Sequence, residues 1–247
     1  MVFHNMIRPV SLLIALLAAV GSNAATAAPD SALMAKAGRA YSDCEWASAA
    51  ALYNMAADKD PGDTEAYVRA TICHAIRKDT AEAVGTIERA MAHAVPLDSI
   101  LQGLRSEAFE IKKPEIYSGL LETAGNNMPW LRRPLDMQLM RYAAYRRDPV
   151  AMERYAARML AGMPGDTEAM AILAKAHAMQ GRFDEAITDW QRVLAAKPDD
   201  RRALLEIGNY YAITGDSERA LPYLEKAQAV KATPYVAEMI HKLRATQ

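Results

Sequence analysis

Apolar residues recur at intervals of three and four positions almost everywhere after Pro29. That spacing places them on one stripe of a helix. No stretch alternates apolar and polar with the period of two that a half-buried strand requires, and no Asn-Gly or Asp-Gly pair joins two apolar runs. Pro and Gly fall between the helical segments, as at Pro61-Gly62, Pro96, Pro129, Pro164-Gly165, Pro198 and Pro234. Two segments open on the same four letters, Gly62-Asp63-Thr64-Glu65 and Gly165-Asp166-Thr167-Glu168. Each offers a capping side chain before the first turn and a carboxylate inside it, where the helix dipole is positive. The pattern predicts an all-helical chain.

The helices repeat. Leu173, Ala174, Gly181, Ala186 and Trp190 recur as Ile207, Gly208, Gly215, Ala220 and Leu224, each 34 positions on. A fixed period of this length marks units too small to bury an apolar face alone, which stack on their neighbours. Small residues such as Ala174, Gly208, Ala186 and Ala220 are expected where paired helices cross, and Trp190, Tyr53, Phe183 and Tyr211 between successive pairs.

These residues resemble the tetratricopeptide repeat. Residues 167–200 fit best, 201–234 follow with Ser217 where the family usually has an aromatic, and Trp46, Ala49, Tyr53, Ala56 and Pro61 repeat the second-helix signature. The resemblance implies an all-α, right-handed superhelix (an alpha solenoid) of helical hairpins. The expected organisation is a leader over 1–27, two repeats over 31–96, an irregular helical segment and loop over 97–133, three repeats over 134–234 and a capping helix over 235–247. Within 97–133, Ile100, Leu101 and Leu104 suggest one helix, and Ile116, Tyr117, Leu120 and Leu121 another.

In such an array the resemblance places binding on the concave surface formed by first helices. Arg141, Lys175 and Asn209 occupy one equivalent position in three consecutive units, and Met137, Ala171 and Leu205 another, one turn earlier, with Arg202 near the mouth. This gives a polar row beside an apolar row, suited to an extended or helical peptide. The alternative is an ordinary solvated helix face.

The beginning of the chain changes the picture of where this happens. Arg8, the apolar run from Ser11 to Val20 and the small residues Ala25-Thr26-Ala27 read as a secretory leader cut after Ala27. Periplasmic or secreted location is the expectation, with no integral membrane segment after cleavage. An oxidising compartment would make Cys44 and Cys73 a candidate disulfide, closing a loop worth roughly 3–4 kcal/mol. The alternative is that Cys73 is a small buried hydrophobe.

Other chemistry is not expected. The formal net charge of −1 over 247 residues argues against nucleic acid as a partner. His74, His93, His177 and His241 lack metal-ligand spacing, and there is no phosphate-binding glycine loop or nucleophile elbow. No cofactor, metal or catalytic residue is assigned. Trp130, in a proline-flanked run, is either an exposed anchor or tucked beneath the next helix. The function expected is that of an exported adaptor binding a protein or peptide, for instance in a secretion or polysaccharide-export assembly. The rivals are a holdase-like chaperone and an enzyme or carbohydrate-binding accessory.

Overall fold

The computed structural model describes residues 31–245. The leader expected over 1–27 falls outside the described residues. Contacts divide the chain into two compact units, Met1–Tyr117 and Ser118–Gln247. Among the described residues every regular element is a helix: α1 (Ser31–Ser42), α2 (Trp46–Lys59), α3 (Thr64–Ile76), α4 (Thr80–Ala92), α5 (Leu97–Glu110), α6 (Pro114–Asn127), α7 (Arg132–Arg146), α8 (Pro149–Gly162), α9 (Thr167–Met179), α10 (Phe183–Ala196), α11 (Arg201–Ile213), α12 (Ser217–Val230) and α13 (Pro234–Arg244), with a 3-10 turn at Pro129–Leu131. None of them is long and apolar enough to cross a membrane.

The turns show why the helices pair. Cys44, Lys78, Lys112, Arg147, Gly181 and Gly215 all have positive φ and stand 34 or 35 positions apart, one in each first-to-second helix turn. The hydrogen bonds repeat as well. The amide of the left-handed residue donates three residues back (Lys78 to Ala75, Gly181 to Ala178), and the next amide donates five back (Asp79 to His74, Arg182 to His177). This is the Schellman closure, which satisfies carbonyls a helix end leaves bare and reverses the chain. Asp79, Asp148 and Asp216 follow directly and cap the second helix, while Asp63, Asp166 and Asp200 cap first helices.

The same register runs through 97–133. The spacing was expected to lapse there, but α5 and α6 follow one another with Lys112, the left-handed residue between them, in step with the other turns. The repeat signature is hidden by size exchanges at the equivalent positions. Counting from the turn, Arg105 stands where Ala174 does, and buried Tyr117 where Ala186 does.

A side chain with a Cβ pays about 1–2 kcal/mol for the left-handed conformation, and Gly does not. Arg147→Gly at φ 54 and Lys78→Gly at φ 62 should therefore each raise stability by about 1 kcal/mol, read as a higher urea midpoint at unchanged slope. Gly181→Ala and Gly215→Ala should lower it by a similar amount.

In the first unit α1 packs on α2, α2 on α3, and α3 on both α4 and α5. Gly103 allows the last contact, since a Cβ there would lie 2.6 Å from Val68 Cγ2. Tyr53 is fully buried and receives a hydrogen bond from Arg69 Nη1 at 3.1 Å. The Arg69 guanidinium also lies over the rings of Tyr41 and Tyr53 and 3.6 Å from the buried carboxylate of Glu107. Cys44 and Cys73 are free thiols, one exposed in the first turn and the other in the core. Burial pushes the Cys73 thiol up to about 12, which keeps it protonated and unreactive.

His74 is buried in this unit. The Asn54 amide oxygen accepts from Arg89 Nη2 at 2.8 Å, which turns Asn54 Nδ2 toward His74 Nε2 at 3.3 Å. The ring nitrogen there must accept, so it must be unprotonated. Burial lowers the His74 pKa below 6.5, against the pull of Asp79 and Glu82 and together with Arg77 and Arg89. A depressed pKa means that the unfolded chain takes up the proton first. This contribution to stability is complete above about pH 6.5 and is lost as pH falls through the folded value. Urea melts of wild type and His74→Gln between pH 7.5 and 5 should show the slope reduced in the variant.

The second unit runs α7 on α8, α8 on α9, α9 on α10, α10 on α11, α11 on α12 and α12 on α13. Met140, Met152, Ala174, Ala186, Gly208 and Ala220 occupy equivalent crossing positions and are buried. Gly208 is held to zero volume, because a Cβ would come within 2.8 Å of Leu224. Trp190 is 2% exposed. Phe183, expected between hairpins, is instead 49% exposed, because it opens α10 at the turn edge. Trp130 is 70% exposed on the 3-10 turn.

Candidate partner-binding site

The three first helices of the second unit carry the predicted rows. Arg141 on α7, Lys175 on α9 and Asn209 on α11 keep one register relative to the turn residues Arg147, Gly181 and Gly215. Their surroundings differ. Arg141 is exposed and grips Glu168 with two hydrogen bonds of 2.7 Å, Nε to Oε1 and Nη2 to Oε2. Those bonds hold the Glu168 carboxyl below the usual carboxylate range despite its partial burial. Lys175 is half-buried and has no carboxylate within ion-pair distance among the described residues. Asn209 is half-buried with its Oδ1 shielded from water and without a hydrogen-bond partner.

The apolar row is only partly available. Met137 is half-buried on α7. Leu205 is drawn into the core, packed against the cluster of Ala220, Leu221, Leu224, Val236 and Ile240. Arg202 lies with its guanidinium 5.4 Å from the Trp190 ring centroid, a cation–π contact that fixes it at the surface. The face therefore offers Lys175 and the Asn209 oxygen as unspent polar groups, with the Arg141–Glu168 pair on their N-terminal side.

Charge networks hold this face in place. Arg158 on α8 donates Nε to Asp136 Oδ2 at 2.8 Å and makes a second, shorter bond through Nη2 to Oδ1. Both its terminal nitrogens lie 3.3 Å from Glu122 Oε2. Asp136 is 2% exposed, on the first turns of α7. Burial alone would raise the Glu122 carboxyl, but the Tyr155 hydroxyl and Arg158 lower it. Between α9 and α10, His177 Nδ1 lies 3.0 Å from the buried Asp189 carboxylate, which also receives a hydrogen bond from Arg192. His177 is thus a packed residue that links two helices.

A second feature was not anticipated. Phe183 stacks on Tyr210 (centroids 5.6 Å apart, planes at 27°), Tyr210 meets Tyr211 at 5.5 Å, and Tyr211 stacks on Tyr223 at 6.2 Å. Beside this ladder, between α10, α11 and α12, lies a cleft of about 500 Å³. Asp184, Thr188, Gln191, Tyr210, Tyr211 and Arg219 line it, among others. Tyr211 packs against the core cluster as expected, and Tyr210, which the sequence reading does not single out, extends the ladder.

Comparison with known proteins bears on the fold. The tetratricopeptide repeat family matches at residues 142–193 and again at 173–237. No curated protein matches the chain. Among solved structures, the C-terminal part of a tetratricopeptide repeat-containing protein from Cytophaga hutchinsonii is similar at 16% identity, with 85% of this chain and 84% of that one covered and a TM-score of 0.51. PilF of Pseudomonas aeruginosa is similar at 13% identity over 88% of this chain and 97% of that one, with a TM-score of 0.48. MamA of strain AMB-1 is similar at 21% identity over 72% and 98%, with a TM-score of 0.48. The repeat match over 142–237, with the helical pairs that precede it in the chain in the same turn register, identifies the fold as an alpha solenoid of tetratricopeptide-type repeats.

Proposed function

We propose that this chain is an exported repeat scaffold, acting in the periplasm or outside the cell, that holds a segment of another protein on the first-helix face of its second unit. A secretion or polysaccharide-export assembly of the envelope is the setting that fits such an adaptor. The observation that carries the reading is the pair Lys175 and Asn209. A shielded, unpartnered oxygen costs about 1–3 kcal/mol, which an incoming main-chain N–H would recover. Lys175, one hairpin earlier, would take a carbonyl or carboxylate of the same segment. Export is supported by the apolar run and small residues that end at Ala27.

The test is affinity purification from cells with wild type and with Lys175→Ala/Asn209→Ala. A stoichiometric partner should accompany the wild type and fall at least tenfold with the variant. Equal recovery of every partner would overturn the reading. N-terminal sequencing of the mature protein should begin at Ala28; an intact Met1 in the soluble fraction would refute export.

A further inference from the structure

The cleft between α10, α11 and α12 already contains a worked example of the chemistry it selects. The Arg219 guanidinium lies 4.6 Å from the Tyr211 ring centroid and donates Nε to Asp216. A planar cation thus rests against a tyrosine ring and is paired with a carboxylate from the same turn. The cleft holds the same two elements a second time without a cation. Tyr210, backed by the half-exposed ring of Phe183, lines the wall together with Asp184. The Asp184 carboxylate has no hydrogen bond or ion pair among the described residues; only its main-chain carbonyl is engaged, by Thr188 Oγ1. Gln191, on the same wall, adds an amide that no side chain of this region uses.

We infer that this cleft binds a guanidinium group, the side chain of an arginine in a basic peptide segment, between the Phe183–Tyr210 ring pair and Asp184. Ring and carboxylate together recognise a planar cation by stacking and paired hydrogen bonds. Gln191 supplies an acceptor for a remaining N–H. Arg219 satisfies Tyr211 and Asp216, and as a like charge it confines the incoming group to the other half of the cleft. None of these residues belongs to the row of Arg141, Lys175 and Asn209, so this site stands or falls without it.

The experiment is a nuclear magnetic resonance titration of the 15N-labelled mature chain with Nα-acetyl-argininamide, and with its neutral isostere Nα-acetyl-citrullinamide. Arginine should shift amides of residues 183–191 and 210–219, and citrulline should not. Asp184→Asn should weaken binding at least fivefold without changing the spectrum elsewhere. Arg219→Ala removes that like charge but keeps the main-chain cap of α12, so it should tighten binding severalfold. Equal shifts with citrulline, unchanged binding in Asp184→Asn, or weaker binding in Arg219→Ala would each overturn the assignment. So would a neutral oligosaccharide such as maltohexaose saturating the same amides where arginine does not.

Discussion

Arg158→Met should destabilise the second unit by about 3 kcal/mol. The figure follows from what the guanidinium leaves behind. Asp136 is 2% exposed and takes both of its strong hydrogen bonds from Arg158. Breaking a buried pair by deleting one partner costs about 3–5 kcal/mol, mostly from the stranded charge. The lower end applies here because Arg132 Nη1 stays 3.6 Å from Asp136 Oδ1, and because Arg158 is itself one-third exposed. The double change Asp136→Leu/Arg158→Met should recover most of the loss, since no charge is then stranded. Urea melts of the four proteins in the cycle measure this. A double variant as unstable as the single one would mean that packing of the arginine stem, and not its charge, is what matters.

Trp190→Ala should cost about 3–5 kcal/mol, the range for removing a large buried aromatic. Trp190 is 2% exposed on α10, and Arg202 of α11 lies over its ring. The indole therefore joins successive hairpins at a place where the α10–α11 contact is otherwise sparse. Its loss opens a cavity at that junction and frees Arg202. The melt of the second unit should shift to a lower urea midpoint, and Arg202→Met in the Trp190→Ala background should add little. A fall below 1 kcal/mol would show that the junction collapses around the missing ring.

The period was legible in the sequence because Ala and Gly mark the crossings of the last two hairpins, and Ala those of the first. It was obscured where Met140, Met152 and Tyr117 fill positions that Ala holds elsewhere. A helix crossing needs matched volumes, and a large residue opposite a small one serves as well as the reverse. The left-handed backbone of the turns was legible only in part. Gly181 and Gly215 announce a left-handed residue, but Cys44, Lys78, Lys112 and Arg147 adopt the same conformation with no letter that betrays it. Their strain is offset by the hydrogen bonds of the closure.

The candidate site was legible only as a register. Spacing placed Arg141, Lys175 and Asn209 in a row, yet it carried no information about which of them the fold had already engaged. Glu168 holds Arg141, Trp190 holds Arg202, and the α12–α13 cluster holds Leu205. Those partners come from other helices, and only packing reveals them. The aromatic cleft was hidden for the same reason. Phe183, Tyr210 and Tyr211 carry the apolar weight of core residues; Phe183 is exposed because it opens α10 at the turn edge, and the two tyrosines are half-buried beside it.

The central claim is that Lys175 faces a partner. A photo-crosslinking residue placed at position 175 in living cells, with position 226 on α12 as the control, tests it most directly. The account predicts one discrete covalent adduct from position 175 that disappears when Asn209→Ala is added, and none from position 226. No adduct, or the same ladder of products from both positions, would contradict it.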